Sequence, residues 1–172
     1  WLFRGHPFGR SVDGSEESLA AVTLDDVRRH YRDQVRGDRL IIAVVGDFDP
    51  KDVTTRLVTA FGSRPKANSA APVVQATLRV EGRRVLLVDK PGATQTYFWL
   101  GNVGASRTDP ERTAQSVVNT IFGGRFTSML NTELRIKSGL TYGARSSLER
   151  LSQPGSFSVT SFTATETTTQ AI

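Results

Sequence analysis

The residues best placed to do chemistry are Arg135 and Tyr142, in the run Leu134-Arg135-Ile136-Lys137-Ser138-Gly139-Leu140-Thr141-Tyr142-Gly143. Arg135 falls at the end of a helical stretch and Tyr142 at the start of an extended one, with Gly139 between them. That arrangement can turn a guanidinium fork and a phenol toward the same side. Arginine presents five N–H donors in fixed geometry and a tyrosine hydroxyl adds another. Together they suit the carbonyl oxygen of a bound peptide, or the oxyanion that develops there during hydrolysis. An arginine near a helix C-terminus also complements the helix dipole, so spacing alone leaves both readings open. Phe126 and Thr127, at the turn into the same helix, are candidate lining residues of a cleft; a core phenylalanine is an equal reading.

Other chemistries find less support. His6 and His30 are the two histidines, 24 positions apart, and neither falls in an H-x-x-E-H or H-E-x-x-H spacing. A hydrolytic zinc needs three protein ligands and an open position, a set that this sequence does not assemble. There is no cysteine, which removes disulfides, thiolate sites and thiol nucleophiles. No serine sits in a G-x-S-x-G elbow. Gly123-Gly124-Arg125-Phe126 lacks the phosphate-loop pattern and reads as a tight turn between helices.

The elements that must position the pair follow from caps and periodicity. Thr23 and Asp26 form a capping-box start, with Leu24, Val27, Tyr31 and Val35 on one helical face. Leu40 to Val45 is a continuous apolar run, the pattern of a strand buried on both faces. Asp49-Pro50 starts a second helix with Val53, Leu57, Val58 and Phe61 as its buried stripe. Residues 63–76 are poor in order signals and read as a linker. Strands are expected at 84–89 and 95–101, a helix after Asp109-Pro110 buried through Ala114, Val117, Val118 and Ile121, and a further helix over 127–137 ended by Gly139. A strand pair over 141–148 and 156–162 completes the pattern, and 163–169 begins a last helix. The expected fold class is α+β: a mixed, largely antiparallel sheet with helices mainly on one face. The chain reads as one domain over 1–172, truncated at both ends, with a leading helix–strand–helix over 1–62, the linker, and the main sheet and helices over 77–172.

The 172 residues suffice for one domain with a sizeable core. The formal charge is +5, from 22 Lys and Arg against 17 Asp and Glu. The surplus is scattered, with no basic run interleaved with aromatics, so nucleic acid is not an expected partner. No apolar stretch is long enough to span a membrane.

The ordered set of motifs resembles the pitrilysin/insulinase family of zinc metallopeptidases and their non-catalytic homologues. Gly123-Gly124-Arg125-Phe126-Thr127-Ser128-Met129-Leu130-Asn131, then Leu134-Arg135 and Gly139-Leu140-Thr141-Tyr142-Gly143-Ala144, is similar to the family's non-zinc, C-terminal type of domain. His6-Pro7-Phe8-Gly9-Arg10, Gly14-Ser15-Glu16-Glu17-Ser18 and Val44-Val45-Gly46-Asp47-Phe48-Asp49-Pro50 agree as well. The resemblance implies a fold similar to that of the mitochondrial processing peptidase-like metallohydrolases, with paired halves closing on a peptide like a clamshell. It implies that zinc is held in a different half, in the same parent chain or a separate subunit. Arg135 and Tyr142 correspond to the substrate-contacting Arg and Tyr of the non-zinc half. The chain alone is then expected to bind no metal and to be inactive. Its parent is an active peptidase or an inactive homologue that binds peptides or holds an assembly together. Self-association through the surface meant for a companion is expected, and export in a bacterium, for instance to the periplasm, is what the relatives imply.

Overall fold

A computed structural model describes residues 1–172 except 69, 71, 72 and 77–79. The chain divides into two compact units, one formed by 1–10 with 74–172 and the other by 11–73. Part of the expected linker, at 69, 71 and 72, lies outside the described residues.

The 11–73 unit is helical. Helix α1 (Glu16–Ala21) starts from Ser15, whose side chain exchanges capping hydrogen bonds with Ser18. Helix α2 (Leu24–Gln34) has the expected capping box between Thr23 and Asp26. Helix α3 (Pro50–Phe61) is capped by Asp49 with Pro50 in its first turn, a position where a missing N–H costs nothing. The 40–45 segment departs from expectation. It takes no regular secondary structure and joins no ladder among the described residues, and Ile41 and Val45 are 95% and 98% exposed. An apolar run states a demand for burial on both faces, but a strand forms only where a neighbouring edge supplies hydrogen bonds. No described segment supplies that edge.

The sheet lies in the other unit. Strand β1 (Gln95–Val103), helix α4 (Arg112–Phe122), helix α5 (Met129–Asn131, continued by a π-helical turn Thr132–Lys137), strand β2 (Ala144–Glu149), strand β3 (Ser156–Ala164) and the short helix α6 (Thr168–Ala171) follow in order. The strands form an antiparallel sheet in the order β1-β3-β2. The expected strand at 84–89 takes no regular secondary structure and is exposed and unpaired among the described residues, for the same reason as 40–45.

The two faces of the sheet differ. Ala144, Ser146, Ser161 and Thr163 are buried on the face that meets α4 and α5. Helix α4 does not bury the stripe that its hydrophobic pattern predicts, since Val117, Val118 and Ile121 are exposed. Its sheet-facing side carries Asn119 and Phe122 instead. Asn119 donates from Nδ2 to Ser146 O at 3.3 Å and accepts from Ser146 Oγ at 2.7 Å. Polar pairing at the helix–strand contact thus overrides the apolar stripe. In α3, likewise, Val58 is exposed while Val53, Leu57 and Phe61 are half-buried. The opposite face of the sheet is open. Register pairs Tyr97 with Phe162, and Thr160 with both Trp99 and Arg145, so these side chains share one face.

Candidate functional site

The site is built from the junction between α4, α5 and β2. Helix α4 ends at Gly123, whose carbonyl accepts from Ser146 N–H at 3.0 Å. A Cβ on Gly123 would lie 2.5 Å from Ser146 Oγ and 2.8 Å from Leu130 Cδ1, so only glycine lets the turn reach β2. Asn131 then clamps the turn. It is 3% exposed, donates from Nδ2 to Phe126 O at 2.6 Å and accepts from Ala144 N–H at 3.4 Å. One buried amide thereby fixes the loop that carries Phe126 against the start of β2.

The π-helical turn after Asn131 carries Arg135. Ser138 N–H bonds to Glu133 O at 3.1 Å, five residues back, and π turns of this kind recur at functional sites. Gly139 follows with φ +64°, the left-handed conformation that glycine adopts without steric cost. Leu140 and Thr141 N–H groups both return to Leu134 O. Thr141 is pinned in turn, accepting from Gly143 N–H and from Ser161 Oγ at 3.1 Å each, and Thr163 Oγ1 donates to Leu140 O at 2.6 Å. Residues 140–143 are therefore held against β3.

This framework brings Arg135, Tyr142 and Phe126 together. Arg135 Nη1 donates to Tyr142 O at 2.7 Å. The guanidinium carbon lies 4.3 Å from the Tyr142 ring centroid and 4.8 Å from that of Phe126, so the cation is held by both rings. Tyr142 is 76% exposed, and its hydroxyl has no protein partner among the described residues. Nε and Nη2 of Arg135 also have none. A groove of about 650 Å³ opens beside Arg135, lined among others by Arg135, Phe126, Trp99 and Phe162. Thr127 does not line it, and neither does Tyr142, whose neighbour Gly143 does. Such a groove can offer a peptide carbonyl several unengaged N–H donors backed by aromatic surface. Asn131 and Ser161 are positioning residues that residue type alone does not single out; the buried amide between a Gly-Gly turn and a strand becomes visible only in the fold.

The residues of the chain do not fit a zinc ion. His6 accepts from Phe8 N–H through Nδ1 at 3.2 Å, and its Nε2 lies 3.0 Å from Gln75 O, to which it must donate. Both ring nitrogens are thus engaged. His30 lies exposed on α2. No cluster of three or more His, Cys, Asp or Glu side chains occurs among the described residues.

The family model of the peptidase M16 inactive domain matches residues 21–172. The chain belongs to that family. An uncharacterized zinc protease of Mycobacterium leprae is 33% identical over 159 residues, which is 92% of this chain and 36% of the relative. A non-peptidase homolog of Helicobacter pylori is 24% identical over 142 residues, 82% of this chain and 32% of its own. Among solved structures, a peptidase M16 inactive domain from Pseudomonas fluorescens superposes with TM-score 0.88 at 27% identity, over 99% of this chain and 41% of that one. The chain thus spans about a third of the length of the curated relatives it matches. It is a non-zinc domain of the pitrilysin-like family, as its motifs imply, and the α+β reading agrees with its fold. Among the described residues, no helix is long and apolar enough to cross a membrane.

Proposed function

We propose that this M16 domain is the substrate-gripping side of a zinc metallopeptidase, and that Arg135 and Tyr142 hold a peptide carbonyl while the bond is cut by a zinc-bearing half outside this chain. The observation that carries the reading is the state of the Arg135 guanidinium. One N–H is spent on Tyr142 O, two aromatic rings fix its plane, and its other donors border the groove without a protein partner. A fork already held in place loses little freedom when it takes up a carbonyl oxygen. In this chain the work is binding and orientation: Arg135 and the Tyr142 hydroxyl meet the oxygen, and Phe126 supports the guanidinium.

The test is peptide hydrolysis by the full-length protein carrying Arg135→Ala or Tyr142→Phe. Loss of one preorganised donor is expected to lower kcat by a factor on the order of 10². Rates within twofold of wild type for both variants would reject the assignment.

A second reading has its own support. The Helicobacter pylori relative is named as a non-peptidase homolog, so a parent that binds peptides or holds an assembly together without cutting is the alternative. Finding H-x-x-E-H with a downstream Glu in the parent chain or a partner subunit favours the peptidase; absence from both favours the alternative.

A further inference from the structure

We propose that the groove beside Arg135 selects peptide segments carrying carboxylate side chains, with Arg145 and Arg125 as the selecting residues. This rests on the peptide-binding reading above and adds the class of side chain that the groove takes.

The charge distribution carries it. Three arginines, at 125, 135 and 145, line the groove, and no Asp, Glu, Lys or His is among the described residues that do so. Elsewhere Arg28, Arg29, Arg36 and Arg56 each pair with an aspartate three or four residues away; here three arginines gather on one concave surface with no acid among its described lining residues. The side chains of Arg125 and Arg145 have no carboxylate within ion-pair distance and no hydrogen bond among the described residues. Both are exposed.

The sheet register sets where Arg145 stands. It is opposite Thr160, which is opposite Trp99, so the three form one row across the open face. The next row holds Tyr97 and Phe162, whose rings stack at 5.2 Å between centroids. A guanidinium on a β-strand row flanked by aromatic surface is poorly hydrated on one side and open on the other. Such a group prefers a carboxylate, which it can meet with two parallel N–H···O bonds. A concave surface of one sign also draws in the opposite charge and repels its own. Arg135 reads the peptide backbone, whereas Arg145 and Arg125 read the side chains. Single-stranded nucleic acid could also meet arginines and aromatics. Three arginines are few for the groove that tracks a strand's backbone over several nucleotides, which favours the peptide.

The test is stopped-flow fluorescence anisotropy, which reads binding ahead of any turnover, on the full-length protein. Three unstructured peptides of equal length share one aromatic residue and differ in a central pair: Asp-Glu, Ser-Ala or Lys-Lys. The acidic peptide is expected to bind roughly tenfold tighter than the neutral one, with the basic one weakest. Raising the salt to about 0.5 M should compress the ranking. Arg145→Glu should invert it, and Arg125→Gln should weaken the acidic peptide alone. Both side chains are exposed and make no hydrogen bond or ion pair among the described residues, so circular dichroism is expected to match wild type. Equal affinity for all three peptides, or an Arg145→Glu ranking unchanged from wild type, overturns the selectivity. Failure of all three to bind instead overturns the underlying peptide-groove reading. A single-stranded oligonucleotide that outcompetes the acidic peptide also overturns the assignment.

Discussion

The Arg135 guanidinium donates to the main-chain oxygen of Tyr142 at 2.7 Å while its carbon sits 4.3 Å from the ring of that same residue. Backbone and side chain of one tyrosine are thus both held by one arginine. The contact closes the loop 135–142, and the site and the local fold share a residue.

That sharing has a measurable consequence. Replacing Arg135 by Ala removes two ring contacts, each worth about 0.5–1 kcal/mol at exposed sites, and one hydrogen bond. A stability loss of about 1.5–3.5 kcal/mol is expected from the urea midpoint. Arg135→Lys keeps the charge but loses the planar fork, and should recover less than half of the loss. A lysine variant as stable as wild type would show that charge, not the stacked plane, holds the loop.

Asn131 should behave as a positioning residue. Its amide serves Phe126 O and Ala144 N–H, and Asn131→Ala leaves both backbone groups without that partner. A cost of about 1–3 kcal/mol is expected, with faster hydrogen exchange at Ala144. Asn131→Asp keeps an acceptor for Ala144 but sets a carboxylate against the Phe126 carbonyl, so it should not rescue. Unaltered exchange at Ala144 in the alanine variant would contradict the clamp.

The glycines of the site should rank in order of the space around them. In Gly123→Ala the new methyl meets Ser146 and Leu130, so overpacking of about 1–3 kcal/mol is expected. At Gly124 a new methyl would stand 3.0 Å from its nearest neighbours, Asn119 O and Thr120 Cα, and the cost should be smaller. Gly139 has open space around it, so its cost is the left-handed backbone alone. Gly139→Asn should therefore be milder than Gly139→Ala. Thermal midpoints of the four variants check the order.

How much of this was legible in the sequence depends on what kind of signal each part leaves. Caps are local: Thr23 with Asp26, and Asp49 with Pro50, mark helix starts that form as written. The strand pair after Tyr142 and the aromatic strand β1 were legible because turn residues bracket them. The runs at 40–45 and 84–89 carry an equally strong signal, yet they stand unpaired. Their apolar residues declare a need for neighbours that no described segment meets. In α4 the hydrophobic stripe pointed to the wrong face: Asn119, paired with Ser146, meets the sheet, while Val117, Val118 and Ile121 stand exposed. The π turn was invisible, since its residues fit a 3.6-residue period as well as any helix. Arg135 and Tyr142 were singled out by the glycine-rich and Leu-Arg motif around them; their spacing alone left the helix-end arginine reading open. Phe126 was legible only as one of two candidates, and the structure puts it, not Thr127, in the groove.

The capping box of α2 gives a pH signature. Asp26 accepts from Thr23 Oγ1 at 2.6 Å and from Thr23 N–H at 3.0 Å. The Thr23 side-chain bond is the main cause that holds the Asp26 carboxyl below the usual aspartate range, followed by the backbone bond, with Arg29 adding a smaller effect. A carboxyl whose folded-state pKa is depressed favours the folded state when ionised. Its contribution is complete above the ordinary aspartate pKa and fades as pH falls through the depressed value, because the unfolded chain binds the proton first. The start of α2 should therefore hold from neutral pH down through the ordinary aspartate range and loosen only below it. Thr23→Val should return the Asp26 titration toward the ordinary range, and Asp26→Asn should remove this acid dependence. An NMR titration of the Asp26 carboxyl carbon reads the wild type and Thr23→Val, and the pH dependence of the backbone amide shifts at the start of α2 reads Asp26→Asn; a wild-type midpoint at or above the ordinary aspartate value would mean that the box does not hold in solution.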